Sequence, residues 1–116
     1  MANKYINAFY DPTTTGQETI YTAPSDARAI VQNIQVTNES GSKVVKVAVY
    51  DSSVTTSYQV AYANITGPTI CNLLKGSVVL EESDELRIET TDTSGISGTA
   101  ALLEVSRVYI ASSGGA

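Results

Sequence analysis

The stretch KVVKVAVYD, residues 43–51, decides the fold, because its apolar and polar side chains alternate with the period of a β-strand. Val45, Val47 and Val49 fall on one face of this strand, and Lys46 falls on the other. β-Branched residues of this kind pack well on a half-buried pleated surface. The stretch therefore predicts a strand with one face in a core and the other toward solvent.

A second alternating stretch, ELRIETT at residues 85–91, repeats this pattern. It places Leu86 and Ile88 inward and Arg87 and Glu89 outward. Five further stretches have strand character and are bounded by the Asn, Asp, Ser, Gly and Pro clusters that turns prefer. They cover residues 17–22, 28–38, 56–62, 77–81 and 99–110. The only helical feature expected is a single turn around residues 70–75.

Seven or eight short strands joined by polar turns predict an all-β protein. We expect an antiparallel β-sandwich, of immunoglobulin-like or jelly-roll type, with a small barrel as the alternative that shares the same alternation. The sandwich is predicted to form a single domain over residues 17–110. An N-terminal arm, residues 1–16, precedes it, and a flexible C-terminal tail, residues 111–116, follows it.

The charge balance of the 116-residue chain argues against a nucleic-acid partner. Twelve acidic residues outnumber seven basic ones, for a formal net charge of −5, and the basic residues are scattered singly. A surface that neutralises phosphates needs clustered lysine and arginine. No apolar run approaches the ~18 residues of a membrane-spanning helix, so we expect no membrane partner.

The chain has no histidine, which removes the commonest general base and the commonest metal ligand. The single cysteine, Cys71, allows no internal disulfide and no paired zinc-ligand spacing. The eight glycines form neither a phosphate-binding loop nor a dinucleotide-binding pattern. We therefore expect no catalytic residues, no cofactor and no metal, and hence no enzyme.

The acidic stretch LEESDELRIET, residues 80–90, is the densest concentration of charge in the chain. Its four carboxylates, Glu81, Glu82, Asp84 and Glu85, fall between an apolar run and an alternating strand. Charged side chains in an exposed connection stay solvated and cost little free energy. A calcium loop would need oxygen ligands at every second position and a glycine at the bend, and this stretch does not have that spacing. The sequence favours a solvated turn over a cation site.

Apolar residues are expected on the outer face of some strands. The pairs Leu102-Leu103 and Val44-Val45 each force one apolar side chain away from the core, and such patches mark interfaces. Aromatic residues in the N-terminal arm also invite docking, on this domain or on a neighbour. The candidate interface residues are Tyr5, Phe9, Tyr10, Val44, Tyr50, Leu102 and Val108.

Tyr58 and Tyr62 form the best aromatic pair for a carbohydrate platform, because both are expected on one face of the same strand. Ordinary cross-strand packing is the alternative explanation for these two side chains. A binding module built on them would present a groove that contains one or both rings.

Three motifs stand out within residues 17–110: YTAP at residues 21–24, TN at residues 37–38, and a later turn and strand at residues 80–88. With these motifs, residues 17–110 resemble small β-sandwich structural proteins of tailed-bacteriophage virions. In that family the turn follows the pattern Leu-x-x-Gly-Asp-x-Ile-x-Val. Leu80, Asp84, Leu86 and Ile88 match this pattern. Ser83 departs from it, because the family has glycine there, and a serine would be strained if the turn needs a positive φ.

The resemblance implies a structural role in a virion made in the cytoplasm of a bacterial host. A capsid decoration or cement protein that bridges head subunits is favoured, and a neck or tail component is the nearest alternative. A receptor- or carbohydrate-binding module is the alternative from another class. The implied partners are further copies of the chain, with a trimer favoured, and the major capsid protein or other virion proteins.

Overall fold

The computed structural model describes residues 3–106, and these form nine β-strands and no helix. The strands are β1 (Asn3–Tyr10), β2 (Glu18–Thr22), β3 (Ala27–Asn38), β4 (Ser42–Asp51), β5 (Thr56–Thr66), β6 (Thr69–Asn72), β7 (Val78–Leu80), β8 (Glu85–Thr90) and β9 (Ile96–Ser106). No helix in this part of the chain is long and apolar enough to cross a membrane.

Two antiparallel sheets pack face to face, which confirms the predicted β-sandwich. Sheet A has the order β1-β9-β3-β6, and β7 also pairs with β3. Sheet B has the order β2-β8-β4-β5. At the sides of the sandwich β1 lies next to β2, and β5 lies next to β6. The two sheets therefore have their edges at two opposite sides of one domain.

The core lies between the sheets and follows the predicted alternation. Val45, Val47, Leu86 and Ile88 are fully buried, as the two alternating stretches predict. They pack with inward-facing residues of sheet A in one cluster. Other fully buried members of this cluster are Ala29, Val31, Ile34, Val36, Leu80 and Ala100.

One end of the sandwich is held by a buried polar pair. The Asn38 side-chain amide donates hydrogen bonds to the carbonyls of Gly41 and Ile65, each at 2.9 Å. The buried Lys43 ammonium donates to Asn38 Oδ1 at 2.8 Å and to the Ser40 carbonyl. Buried polar groups need such partners, and these bonds tie the β3–β4 turn to β5. The asparagine of the TN motif thus has a structural role.

Two predicted element assignments are wrong. Residues 3–10 form β1, which pairs with β9 over its whole length from Asn3↔Val105 to Tyr10↔Gly98. The sandwich therefore begins before residue 17, and these residues are not an arm outside it. No helical turn forms around residues 70–75: residues up to Asn72 belong to β6, which pairs with β3, and residues 73–75 lie in the connection that follows it. The predicted tail at residues 111–116 lies outside the described residues.

Candidate interaction surface

The outer face of sheet A carries a continuous row of apolar side chains. The strand register places Tyr5 opposite Leu103, Leu103 opposite Ile30, and Ile30 opposite Val79. These four residues, here called the apolar row, cross β1, β9, β3 and β7. Tyr5 is 82% exposed and Val79 is 56% exposed, while Ile30 and Leu103 are half-buried. Apolar residues joined across four strands make this face a candidate contact surface.

A groove of about 590 Å³ continues the apolar row toward one end of sheet A. Ile30 and Val79 line it together with Val105 and Arg28, which face each other across β9 and β3. The Arg28 guanidinium lies 3.3 Å from the Glu82 carboxylate. The other outward-facing residues of β1, β3 and β9 are uncharged. This face therefore presents little charge to solvent.

The outer face of sheet B is different, because charged residues cover it. Glu85 accepts hydrogen bonds from Arg87 at 2.7 Å and from the Thr19 hydroxyl at 2.8 Å. The hydrogen bonds from Arg87 and Thr19 lower the pKa of the Glu85 carboxyl below its usual value. The Arg87 guanidinium also lies 4.0 Å from the centre of the Tyr50 ring. The charge asymmetry singles out sheet A as the candidate contact face.

The predicted interface residues fall in several environments. Tyr5 and Phe9 are 82% and 72% exposed on the outer side of β1. Tyr10 and Leu102 are corrections, because they are 1% exposed and lie in the core. Val108 lies outside the described residues.

Two further candidates, Val44 and Tyr50, are half-buried on β4, in the sheet with the charged outer face. The sequence missed Ile30, Val79 and Leu103. The Leu102-Leu103 pair gave the right signal, since one leucine had to point outward. Which of the two leucines points outward becomes clear only when β9 is aligned with β1 and β3.

The side chains of Tyr10 on β1 and Tyr21 on β2 pack in or against the core. Burial, more than any nearby charge, raises the pKa of Tyr10 and of Tyr21 above the usual value. The Tyr21 hydroxyl donates to Glu104 at 2.5 Å, and Lys4 lies 3.8 Å from the same carboxylate. These contacts close the side of the sandwich where β1 lies next to β2.

The acidic stretch is a tight turn around one buried carboxylate, so its description as a solvated turn is only partly right. Asp84 is 6% exposed. It accepts hydrogen bonds from the backbone amides of Glu81 and Ser52, at 3.0 and 3.1 Å. Ser83 itself has the positive φ of 68° at the position where the resembling family has glycine. Within residues 3–106 no group of three or more carboxylate or thiol side chains could hold a metal ion.

The tyrosine pair does not form one platform. Tyr62 lies opposite Lys46, whose ammonium is 6.0 Å from the tyrosine ring, on the outer face of sheet B. Tyr58 lies opposite Val49, which shares the inward side with Leu86. The register shifts within β5 between these positions, and this bulge at Val60 turns the two rings to opposite faces.

The chain is similar to several solved structures. No protein-family profile and no curated protein matches it. A chain from the acid-stable capsid of Helicobacter pylori bacteriophage KHP30 has a TM-score of 0.58 and 12% identity, over 92% of this chain and 90% of that one. A chain of infectious bursal disease virus, Gx strain, has a TM-score of 0.55 and 13% identity, over 90% and 30%.

A third similar structure is not viral. A chain of the Bacillus endospore appendages, which are disulfide-linked pili, has a TM-score of 0.54 and 13% identity, over 90% of this chain and 87% of that chain. At these identities the similarities describe the fold, and the same sandwich serves different assemblies.

Proposed function

We propose that this chain is a structural protein of a tailed-phage virion, and that the outer face of sheet A is its contact surface. The observation that carries the proposal is the apolar row, Tyr5–Leu103–Ile30–Val79, on a face that is nearly free of charge. A lone domain in water gains nothing from exposing such a row, whereas a subunit in an assembly buries it.

The fold and the sequence support this proposal independently. The capsid chain of bacteriophage KHP30 shares the fold over nearly the whole length of both chains. The YTAP and TN motifs and the Leu80–Ile88 turn and strand resemble those of phage virion proteins. Two of these motifs have a structural role, because the buried side chains of Asn38 and Asp84 each hold a turn together through hydrogen bonds. Both the shared fold and the sequence motifs therefore support a structural protein of a virion.

Within this class we favour a capsid decoration or cement protein. Many copies would bridge neighbouring head subunits and stabilise the head through buried area and through avidity across the lattice. The net charge of −5 suits an exterior position and repels packaged DNA. The partners would be the major capsid protein and further copies of this chain, with a trimer favoured. This role requires no cofactor and no catalytic residues.

The alternatives receive less support. A neck or tail component would use the same surface in few copies. A carbohydrate-binding module would need a shared aromatic platform, and Tyr58 and Tyr62 lie on opposite faces of β5. The pilus chain with the same fold shows that self-assembling fibres also use this sandwich.

The number of copies per particle tests the proposal. Virions of the phage that encodes this chain would be purified, and the chain quantified against the major capsid protein by mass spectrometry, with immunogold labelling to locate it. We expect a copy number comparable with that of the major capsid protein, and label over the head. Few copies with label at one vertex or on the tail would favour the neck or tail role. Absence from purified virions would overturn the proposal.

A further inference from the structure

Strand β5 is a long, uncharged strand at the edge of sheet B. It is eleven residues long, Thr56–Thr66, and contains neither a charged residue nor a proline. One side of it pairs with β4, and no described strand pairs with the other side. Natural edge strands are usually short or carry charge or proline, because an unprotected edge pairs with other chains. Here the bulge at Val60 is the only such protection, and Tyr58 and Tyr62 are 54% and 61% exposed.

The edge of sheet A at β1 has similar properties. Its eight residues, Asn3–Tyr10, include one charged side chain, Lys4, and their register with β9 has no bulge. No described strand pairs with its far side. Tyr5 and Phe9 are the most exposed large apolar side chains among the described residues. The strand is regular and therefore suited to accept a partner strand.

The two edges lie on opposite sides of the sandwich, since β1 is next to β2 and β5 is next to β6. Pairing of β5 with the β5 of another copy would leave every β1 edge uncovered. Pairing of β5 with the β1 of the next copy covers both edges with a single type of contact. Because β5 has no charge and β1 has one lysine, this pairing places no like charges opposite each other.

We infer that copies of this chain associate head to tail, with β5 of one copy adding a strand to β1 of the next. A contact of this kind uses two different surfaces, so it closes into a ring or continues as an open array. A closed ring of three copies agrees with the trimer favoured above. The inference rests on the self-association in the proposed function, but it does not require attachment to a phage head.

Two blocked variants of the full chain test this pairing. Gln59→Lys with Asn64→Lys adds two charges to exposed positions of β5, and Asn3→Lys with Asn7→Lys does the same for β1. The control, Gln35→Lys with Thr37→Lys, adds the same charge to exposed positions of β3, which is an interior strand. Masses in solution would be measured by light scattering across a concentration series.

We expect the wild type and the control to form the same oligomer. Each blocked variant alone should be monomeric, with self-association weakened at least about tenfold. An equimolar mixture of the two blocked variants should form a dimer with one copy of each, because that pair retains one intact β5 and one intact β1. Hydrogen exchange provides a second readout. Amides in residues 3–10 and 56–66 of the wild type should both become protected as concentration rises.

Each other outcome overturns the inference. A wild type that stays monomeric, or an oligomer that persists in both blocked variants, would exclude pairing through these edges. An oligomer lost only in the β5 variant would indicate a two-fold β5–β5 contact instead. These results are independent of virion copy number. If the chain forms rings in solution but is absent from virions, this inference stands and the proposed function fails. If the chain is present in virions but monomeric in solution, the proposed function stands and this inference fails.

Discussion

Asp84 holds the acidic turn in place. Its carboxylate accepts hydrogen bonds from the amides of Glu81 and Ser52 and lies 3.4 Å from the Ser52 hydroxyl. The turn packs against the β2–β3 connection, where the Ala23 amide donates to the Asp84 carbonyl at 2.9 Å. The negative charge at this position is therefore a structural acceptor, and its neighbours Glu81 and Glu82 are at the surface or only partly covered.

Replacing Asp84 tests this role. Asp84→Asn keeps the shape but turns one acceptor oxygen into a donor that faces an amide or hydroxyl. We expect the free energy of unfolding to fall by about 1–3 kcal/mol, measured by urea denaturation. Glu81→Gln, which removes the same charge from an exposed neighbour, should change it by less than about 0.5 kcal/mol. Equal effects in the two variants, or a stability that rises with added calcium, would contradict this role.

Side-chain contacts connect β2, β8 and β4 on the outer face of sheet B. Thr19 on β2 and Arg87 on β8 both donate to Glu85, and the Arg87 guanidinium lies over the ring of Tyr50 on β4. These contacts connect three neighbouring strands through side chains as well as through the backbone ladder. Cross-strand contacts of this kind stabilise a sheet.

The lowered pKa of Glu85 gives this cluster a pH dependence. A carboxyl whose pKa is lower in the folded state stabilises the fold above its ordinary pKa, and that contribution is lost as the pH falls through the lowered value. Glu85→Gln should therefore reduce the free energy of unfolding at neutral pH. The difference from wild type should disappear in acid, below the folded pKa.

Denaturant titrations across the pH range would measure this difference. Arg87→Gln provides the matched background, because it removes the main donor to Glu85. In that background Glu85→Gln should have a smaller effect at neutral pH, which a double-mutant cycle reports as a coupling energy. A loss of stability that does not change with pH would contradict the proposed ionic contribution.

How far the elements could be predicted depends on whether the signal was local. The alternation in residues 43–51 and 85–91 predicted the buried face of β4 and β8 correctly, because one strand's period defines its own faces. Tyr58 and Tyr62 were misplaced, since the bulge at Val60 appears only when β5 is aligned with β4. The arm was misassigned because polar residues are interspersed within β1, and because β1 pairs with β9, which is far away along the chain.

The two sheets of the sandwich present different outer faces to solvent. The apolar row of sheet A is assembled from β1, β3, β7 and β9, which are far apart along the chain. No local pattern can reveal a row built in this way, and the only local sign of it is that one residue of Leu102-Leu103 must face outward. The outward charges of sheet B, Lys46, Arg87 and Glu89, follow from the alternation of single strands, whereas the apolar row of sheet A is visible only in the folded protein.

The apolar row can be tested as the head-binding surface by adding one charge to it. Val79→Asp places a carboxylate at an exposed end of the row, and Val54→Asp makes the same change at a residue of similar exposure in the β4–β5 turn. Thermal unfolding would first establish that both variants fold. Binding to phage heads that lack the protein would then be measured by co-sedimentation.

We expect Val79→Asp to weaken head binding by at least about tenfold, because the carboxylate must lose its water when the surface is covered. Val54→Asp should bind as the wild type does, and both variants should keep the wild-type oligomer if self-association uses β1 and β5. Unchanged binding by Val79→Asp would exclude this end of the apolar row from the contact. Equal loss in both variants would show that added negative charge, rather than its place on the apolar row, weakens binding.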